Sequence, residues 1–564
     1  MSGTLGTLIL PAMLWYCVSP NAYFSDHAAD LRGLYDGYFF VCWSWDTGVA
    51  NVIGADGNPP TDPTWWPLVT RNVAALRAEG ITENHLAVTF GSNEAWPSPE
   101  LLRSEEWTAK MRSRFSTLGR AAKATGFKGV SLDIEYPYQR YALDHRIYTH
   151  DGYTPGDLLA GAFRQGQAVV AGLLDEFPEA VVFVLPGGLR GYPIGEQFVL
   201  GMLDEMARRD APGGMHLATE YSYSLLDPVT QAAIPRFEDA GLVDLVPAST
   251  LGYWRRRCSM APGAWPMRMI ETSGEYLVRP WAEELADLKE QHMILRATAK
   301  RYVWSYGGAQ VWHMPDSTID AQYHLGSANF PEAKEVVAGW HAILRDRTPY
   351  DRAPNADPRM LRLFRAIREF DEGTRDADGL CDAFGTPGRW WVLGILGNLR
   401  IEPARTAKEA LSEPISPARA YWGRDGWVRW FPWASHYPPG VVDCNRVWGY
   451  MNSDSASAYF VTWLHSERAV DGWLNIGWAD GLSIQFGDSV VFDEVPYPPV
   501  RHSLRVHDRY QFERRVPVRI PEGATRIVCT PVSYRGGFIY TFRITDEDGY
   551  PLPGVRFSLS EEVR

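Results

Sequence analysis

The chain has 564 residues, 45% of them hydrophobic and 22% charged, the balance of a globular protein rather than a disordered or membrane one. Its length suits roughly two to four domains. A formal charge of -13 and a pI near 5.5 exclude the basic surface that nucleic-acid phosphates require, and no run reaches the roughly 18 consecutive apolar residues of a membrane helix.

From the N-terminus, short apolar runs alternate with longer amphipathic ones, the pattern of β/α units on a parallel sheet. Strands are predicted over residues 13–19, 38–45, 85–91, 129–135, 180–186, 215–221, 242–248 and 302–310. Helices are predicted over 27–35, 67–79, 108–125, 155–177, 196–209, 228–240 and 281–301, and two more, 331–345 and 357–369, would close the array. This periodicity predicts a (β/α)8 TIM barrel over residues 1–373. Residues 374–388, rich in Asp and Gly, read as a linker. From 389 to 564, short strands separated by turn signals predict an all-β sandwich or jelly-roll domain. Asp480-Gly481 there predicts a hairpin turn between paired strands.

The informative stretch is Gly129-Val-Ser-Leu-Asp-Ile-Glu-Tyr-Pro137. On an extended strand Val130, Leu132 and Ile134 share one face, and Ser131, Asp133 and Glu135 share the other. Acids inside an apolar strand are costly to bury without a role. The strand-6 pattern places Glu220 on the same face as His216 and Ala218, so Asp133, Glu135 and Glu220 are expected to meet at the C-terminal mouth of the barrel. Such carboxylates suit glycoside hydrolysis, in which one acid protonates the leaving oxygen and a second group attacks or stabilises the anomeric carbon. Two neighbouring acids also raise one another's pKa, which keeps a proton available near neutrality. The plainer alternative is that Asp133 caps the next segment and Glu135 pairs with a basic residue. Trp43, Trp45 and Asp46 after strand 2, and Trp254 after the predicted strand 7, are candidate sugar contacts, since strand-end loops build the site.

The nine residues 129–137 resemble the strand-4 signature DGxDxDxE of family 18 glycoside hydrolases, chitinases and endo-β-N-acetylglucosaminidases, which Tyr-Pro often follows. The resemblance implies Glu135 as general acid/base and Asp133 as its helper, orienting an N-acetyl group that serves as nucleophile. It also implies Tyr221 or Tyr223 as holder of the acetamide and Trp304 as floor of the sugar site. Lys128 and Ser131 stand where that family has acids, and Glu220-Tyr221-Ser222 where it usually has Tyr-Asp. Other barrel glycosidases keep an Asp nucleophile on strand 4 and an acid on strand 6, so a scheme with Asp133 and Glu220 on a sugar without an N-acetyl group stays open. So does a non-catalytic carbohydrate-binding barrel. The C-terminal part resembles jelly-roll, carbohydrate-binding modules appended to bacterial carbohydrate enzymes, on the strength of residues 472–486 and 537–543.

A carbohydrate is the expected partner. The 23 Trp and 27 Tyr fit that partner, because such rings stack on sugars as well as filling cores. The six Cys lie far apart, with no CxxC pair and no His at ligand spacing, so free thiols, no metal and no cofactor are expected. The apolar N-terminus has no Lys or Arg before Arg32 and reads as structure rather than a signal peptide. Cytoplasmic and signal-cleaved secreted locations remain open, as does the oligomeric state.

Overall fold

The computed structural model describes residues 10–18, 20–41, 65–89, 99–134, 154–185, 193–219, 222, 227–241, 245–264, 281–306, 333–435, 440–448, 455–495, 514–534 and 538–562. Contacts divide the chain into two units, Met1–Leu225 with Leu245–Pro354, and Leu226–Asp244 with Asn355–Arg564.

The first unit holds a closed parallel barrel of eight strands, each paired with its neighbours in sequence order and the last with the first. The strands are β1 (Ala12–Val18), β2 (Gly37–Val41), β3 (His85–Thr89), β4 (Gly129–Asp133), β5 (Val181–Leu185), β6 (Met215–Thr219), β7 (Ser259–Ala264) and β8 (Tyr302–Tyr306). Alternation along each strand sends one set of side chains inward, where small Ala87, Ala218 and Ala261 share a cluster with large Tyr16, Phe39, Phe183 and Trp304. Large opposite small fills the barrel, as close packing requires.

Between strands the predicted helices form except 27–35, where a short helix Ala22–Asp26 and a 3-10 turn Ala28–Leu31 stand instead, and helix ends are set by local chemistry. Thr154 and Asp157 make a reciprocal capping box, with Pro155 in the first turn, at the start of helix Pro155–Glu176. Helix Glu105–Thr125 begins on the Ser104 side chain and ends at Gly126, whose φ of 86° suits a residue without Cβ.

One predicted strand is corrected. Strand 7 is not 242–248; a helix spans Ala248–Arg257, and β7 follows at Ser259–Ala264. The Ser-Met-Ala-Pro-Gly-Ala run carries no β-branched residue, and Pro262 lacks a ladder N–H, so propensity argues against the strand that barrel closure nonetheless imposes.

The second unit contains two larger antiparallel sheets and a small hairpin. The first sheet runs β12 (Phe431–Ala434), β9 (Arg389–Gly397), β14 (Ala456–Ser466), β19 (Gly523–Ser533), β16 (Gly481–Phe486), β17 (Ser489–Glu494), with β21 (Val555–Ser558) also on β14. The second runs β13 (Val441–Asp443), β20 (Ile539–Thr545), β15 (Val470–Trp478), β18 (Arg514–Ile520). β10 (Ala420–Trp422) and β11 (Trp427–Arg429) form the hairpin. A single apolar cluster draws Trp390, Phe460, Ile484 and Cys529 from the first sheet and Leu474, Ile476 and Phe542 from the second. Each such side chain contributes about 1.5–3 kcal/mol on leaving water.

Three sequence readings change here. Asp480-Gly481 is no hairpin turn, because β15 and β16 lie in different sheets; the chain crosses between sheets there, and Asp480 accepts the Tyr534 N–H at 2.8 Å. Residues 374–388 are no open linker, since they hold helix Ala377–Ala383 and bury Leu380, Cys381 and Phe384. The second unit also starts earlier than 389 and takes in helix Pro228–Gly241, which the chain supplies between β6 and β7. Arg236 of that helix pairs with Asp371, and Asp227, whose side chain accepts the Thr230 N–H, pairs with buried Arg543 at 2.9 Å. Cys258, Cys381, Cys444 and Cys529 are buried free thiols. Among the described residues no helix is long and apolar enough to cross a membrane.

Candidate active site

Asp133 is the last residue of β4, at the C-terminal end of the barrel, and only 3% of it is exposed. The Tyr16 hydroxyl, from β1 on the other side of the barrel interior, donates to its Oδ2 at 3.3 Å. Tyr16 is in turn fixed by its neighbours: the Trp304 ring meets it edge-on at 5.6 Å and Phe39 lies 5.4 Å away. The Trp304 indole N–H donates to the Ala261 carbonyl at 2.9 Å, which pins β8 to β7. An acid held by a phenol that is itself wedged between aromatic rings loses little rotamer freedom on meeting a substrate.

Below Asp133 on the same face is Ser131, wholly buried, whose Oγ has no hydrogen-bond partner among the described residues. Deeper still, His85, Phe183, His216 and Tyr302 close the N-terminal end, with His85 stacked on Phe39 at 5.2 Å and His216 hydrogen-bonded to Ser259 Oγ at 2.9 Å. Among the described residues the interior therefore carries an aromatic plug at its N-terminal end and a single buried acid, Asp133, at the other.

The inward parity read from the sequence holds for Ser131, Asp133, His216 and Ala218. Glu135 follows β4 by two residues and Glu220 follows β6 by one; both lie outside the described residues, as do Tyr221, Tyr223, Trp43, Trp45 and Asp46. Trp304 is inward-facing on β8 but fully buried as core. Trp254 is also fully buried, on helix Ala248–Arg257 before β7, so the placement after strand 7 that made it a mouth residue does not hold. Tyr16 escaped the sequence reading. Its signal was available, because Ala12, Leu14 and Tyr16 alternate along β1 with the hydroxyl carried nearest the C-terminal end. Among the described residues no group of His, Cys, Asp and Glu could hold a metal ion.

No protein-family model matches the chain, and no curated protein matches it. Among solved structures, a GH18 chitinase from Pseudoalteromonas aurantia aligns at 12% identity over 58% of this chain and 99% of its own, with a TM-score of 0.30. A GH27 β-L-arabinopyranosidase from Geobacillus stearothermophilus aligns at 7% identity over 93% and 97%, with a TM-score of 0.31. Old Yellow Enzyme from Pichia sp. aligns at 11% over 52% and 78%, with a TM-score of 0.29. Likeness at this level spans unlike proteins and carries no argument about chemistry; the barrel rests on its own strand pairing.

Proposed function

We propose that the chain is a glycoside hydrolase, with Glu135 as general acid/base and Asp133 assisting. The observation that supports this reading is a nearly inaccessible carboxyl group at the C-terminal end of a barrel strand, tethered by a tyrosine from the opposite wall. Burying a carboxyl there costs free energy that a packing role would not require. In the sequence Glu135 stands two residues after Asp133, the spacing of an acid and a helper acting on one bond. The substrate class is a poly- or oligosaccharide.

The test compares Asp133→Asn, Glu135→Gln, Glu220→Gln and Tyr16→Phe on a glycan panel, with the anomer of fresh product read by NMR. Glu135→Gln is expected to lower turnover by about two to four orders of magnitude, the range of general-acid work. Tyr16→Phe, which keeps the ring and loses the tether, is expected to lower it about tenfold. A tolerant Glu135 with loss at Glu220 would move the chemistry to the Asp133 and Glu220 pair. Saturable glycan binding with no bond cleaved on the whole panel would instead make the barrel a binding protein.

A further inference from the structure

Within the second unit, helix Pro358–Asp371, helix Ala377–Ala383 and the segment 550–556 enclose a cleft of about 440 Å³. Four arginines line it, Arg359, Arg362, Arg375 and Arg556, with Asp382 as the one carboxylate. Two of the cations are already neutralised. Arg359 pairs with Asp357, Asp546 and Asp548 and lies 4.1 Å over the Tyr550 ring, while Arg375 is held by Glu369 and by the Gly379 carbonyl. Arg362 and Arg556 are exposed and have no ion pair among the described residues. The cleft thus presents two guanidinium groups outside any ion pair, Arg556 within electrostatic reach of Asp382, beside the apolar side chains of Leu363 and Leu552.

We propose that this cleft binds a sugar-sized ligand carrying an oxyanion, a carboxylated or sulfated saccharide unit, with Arg362 and Arg556 gripping the anion. A volume of this order accepts one or two sugar rings. Guanidinium groups match carboxylate and sulfate oxygens in geometry, and the pre-set Arg359 and Tyr550 pair gives the ring a rigid edge. The choice of a saccharide rests on the proposed glycosidase function, while the cleft itself uses no residue of the barrel.

Asp382 makes the site pH-sensitive. Its carboxylate accepts the Phe557 N–H at 2.9 Å; burial, with Asp378 and Asp376 beside it, outweighs that hydrogen bond and Arg556 and pushes its pKa up to about 7. Asp376 is occupied capping its helix, and Asp378 pairs with Arg389. Arg359 and Arg362 from helix Pro358–Asp371, and Arg375 before the second helix, complete the charges lining the cleft. Below about 7 Asp382 is neutral and the two free cations act unopposed; above it, the carboxylate repels an incoming anion.

The experiment titrates the full chain with sodium glucuronate, glucose and sodium sulfate at pH 6 and pH 8 and constant ionic strength, followed by calorimetry. Saturable glucuronate binding at pH 6, absence of glucose binding, competition by sulfate and about fivefold weaker binding at pH 8 are expected. An Arg362→Gln/Arg556→Gln double variant should lose at least about tenfold in affinity with an unchanged melting temperature, because both side chains are exposed. Asp382→Asn should bind equally at the two pH values. Glucose binding as tightly as glucuronate, sulfate binding without glucuronate binding, or full affinity in the double variant would each overturn the proposal.

Discussion

His85 shows what a single buried side chain does to stability. Both imidazole nitrogens lack a hydrogen-bond partner among the described residues, and burial drives its pKa well below the ordinary value, with His216 and Lys128 adding to the shift. Burial likewise lowers His216 to about 3, helped by Arg301. The unfolded chain therefore takes up these protons first, starting near pH 6.5, while the folded barrel refuses them. Stability from this source is complete above that pH and is lost as pH falls toward 3. At pH 5 the His216 ring costs about 2 kcal/mol, and His85 acts in the same direction. Replacing His85 by Leu is expected to shrink the drop in unfolding free energy between pH 7 and pH 5, in urea titrations of both proteins. An acid limb identical to that of the parent would mean that the ring is hydrated in the fold.

The helices around the barrel are brought together by residues with no side chain at all. Helix Pro155–Glu176 and helix Pro193–Arg208 approach so closely that a Cβ on Gly166 would sit 1.9 Å from the Phe198 carbonyl oxygen, and one on Gly201 would sit 2.0 Å from that of Phe163. The two glycines answer each other across one interface, and the atoms they would strike are backbone, which cannot swing aside. Gly166→Ala gains about 1 kcal/mol of helix propensity but must push the helices apart, so a net loss of about 2–3 kcal/mol is expected. Melting the variant against the parent by circular dichroism checks this; a stabilised variant would show that the interface yields. In the second unit the β10–β11 hairpin is a contrasting case. Its cross-strand Trp422 and Trp427 meet edge-on at 5.2 Å yet remain 50% and 70% exposed, so the pair closes the turn rather than building a core.

Taken whole, the molecule is interleaved rather than strung end to end. Helix Pro228–Gly241 arises between two barrel strands but groups with the C-terminal unit, where Asp227 caps it and compensates Arg543, which is 2% exposed on its side chain. Removing the acid leaves a buried cation without that carboxylate, a change that costs about 3–5 kcal/mol. Asp227→Ala is therefore expected to destabilise the C-terminal unit by that much in urea unfolding. Expression of residues 1–354 alone should give poorly soluble protein, since Arg236 loses Asp371 and Asp227 loses Arg543. A soluble, cooperatively melting 1–354 fragment would contradict this interleaving.

The sequence by itself determined seven of the eight barrel strands and the inward parity of Ser131 and Asp133, because alternation and amphipathic spacing are local properties of the chain. It also carried the antiparallel character of the C-terminal part, written in its turn residues. Tertiary structure alone decided the rest. β7 forms from Ser259–Ala264 against its own propensity because an open barrel would leave the edges of β6 and β8 unpaired. Tyr16 reaches Asp133 from 117 residues away, a contact that no local pattern encodes. Asp480-Gly481 crosses between sheets because β15 finds β18 and β20 as partners while β16 finds β17 and β19. In each case the deciding term is satisfaction of backbone hydrogen bonds or burial of a side chain by residues remote in the chain, which exists only once the fold has brought them together.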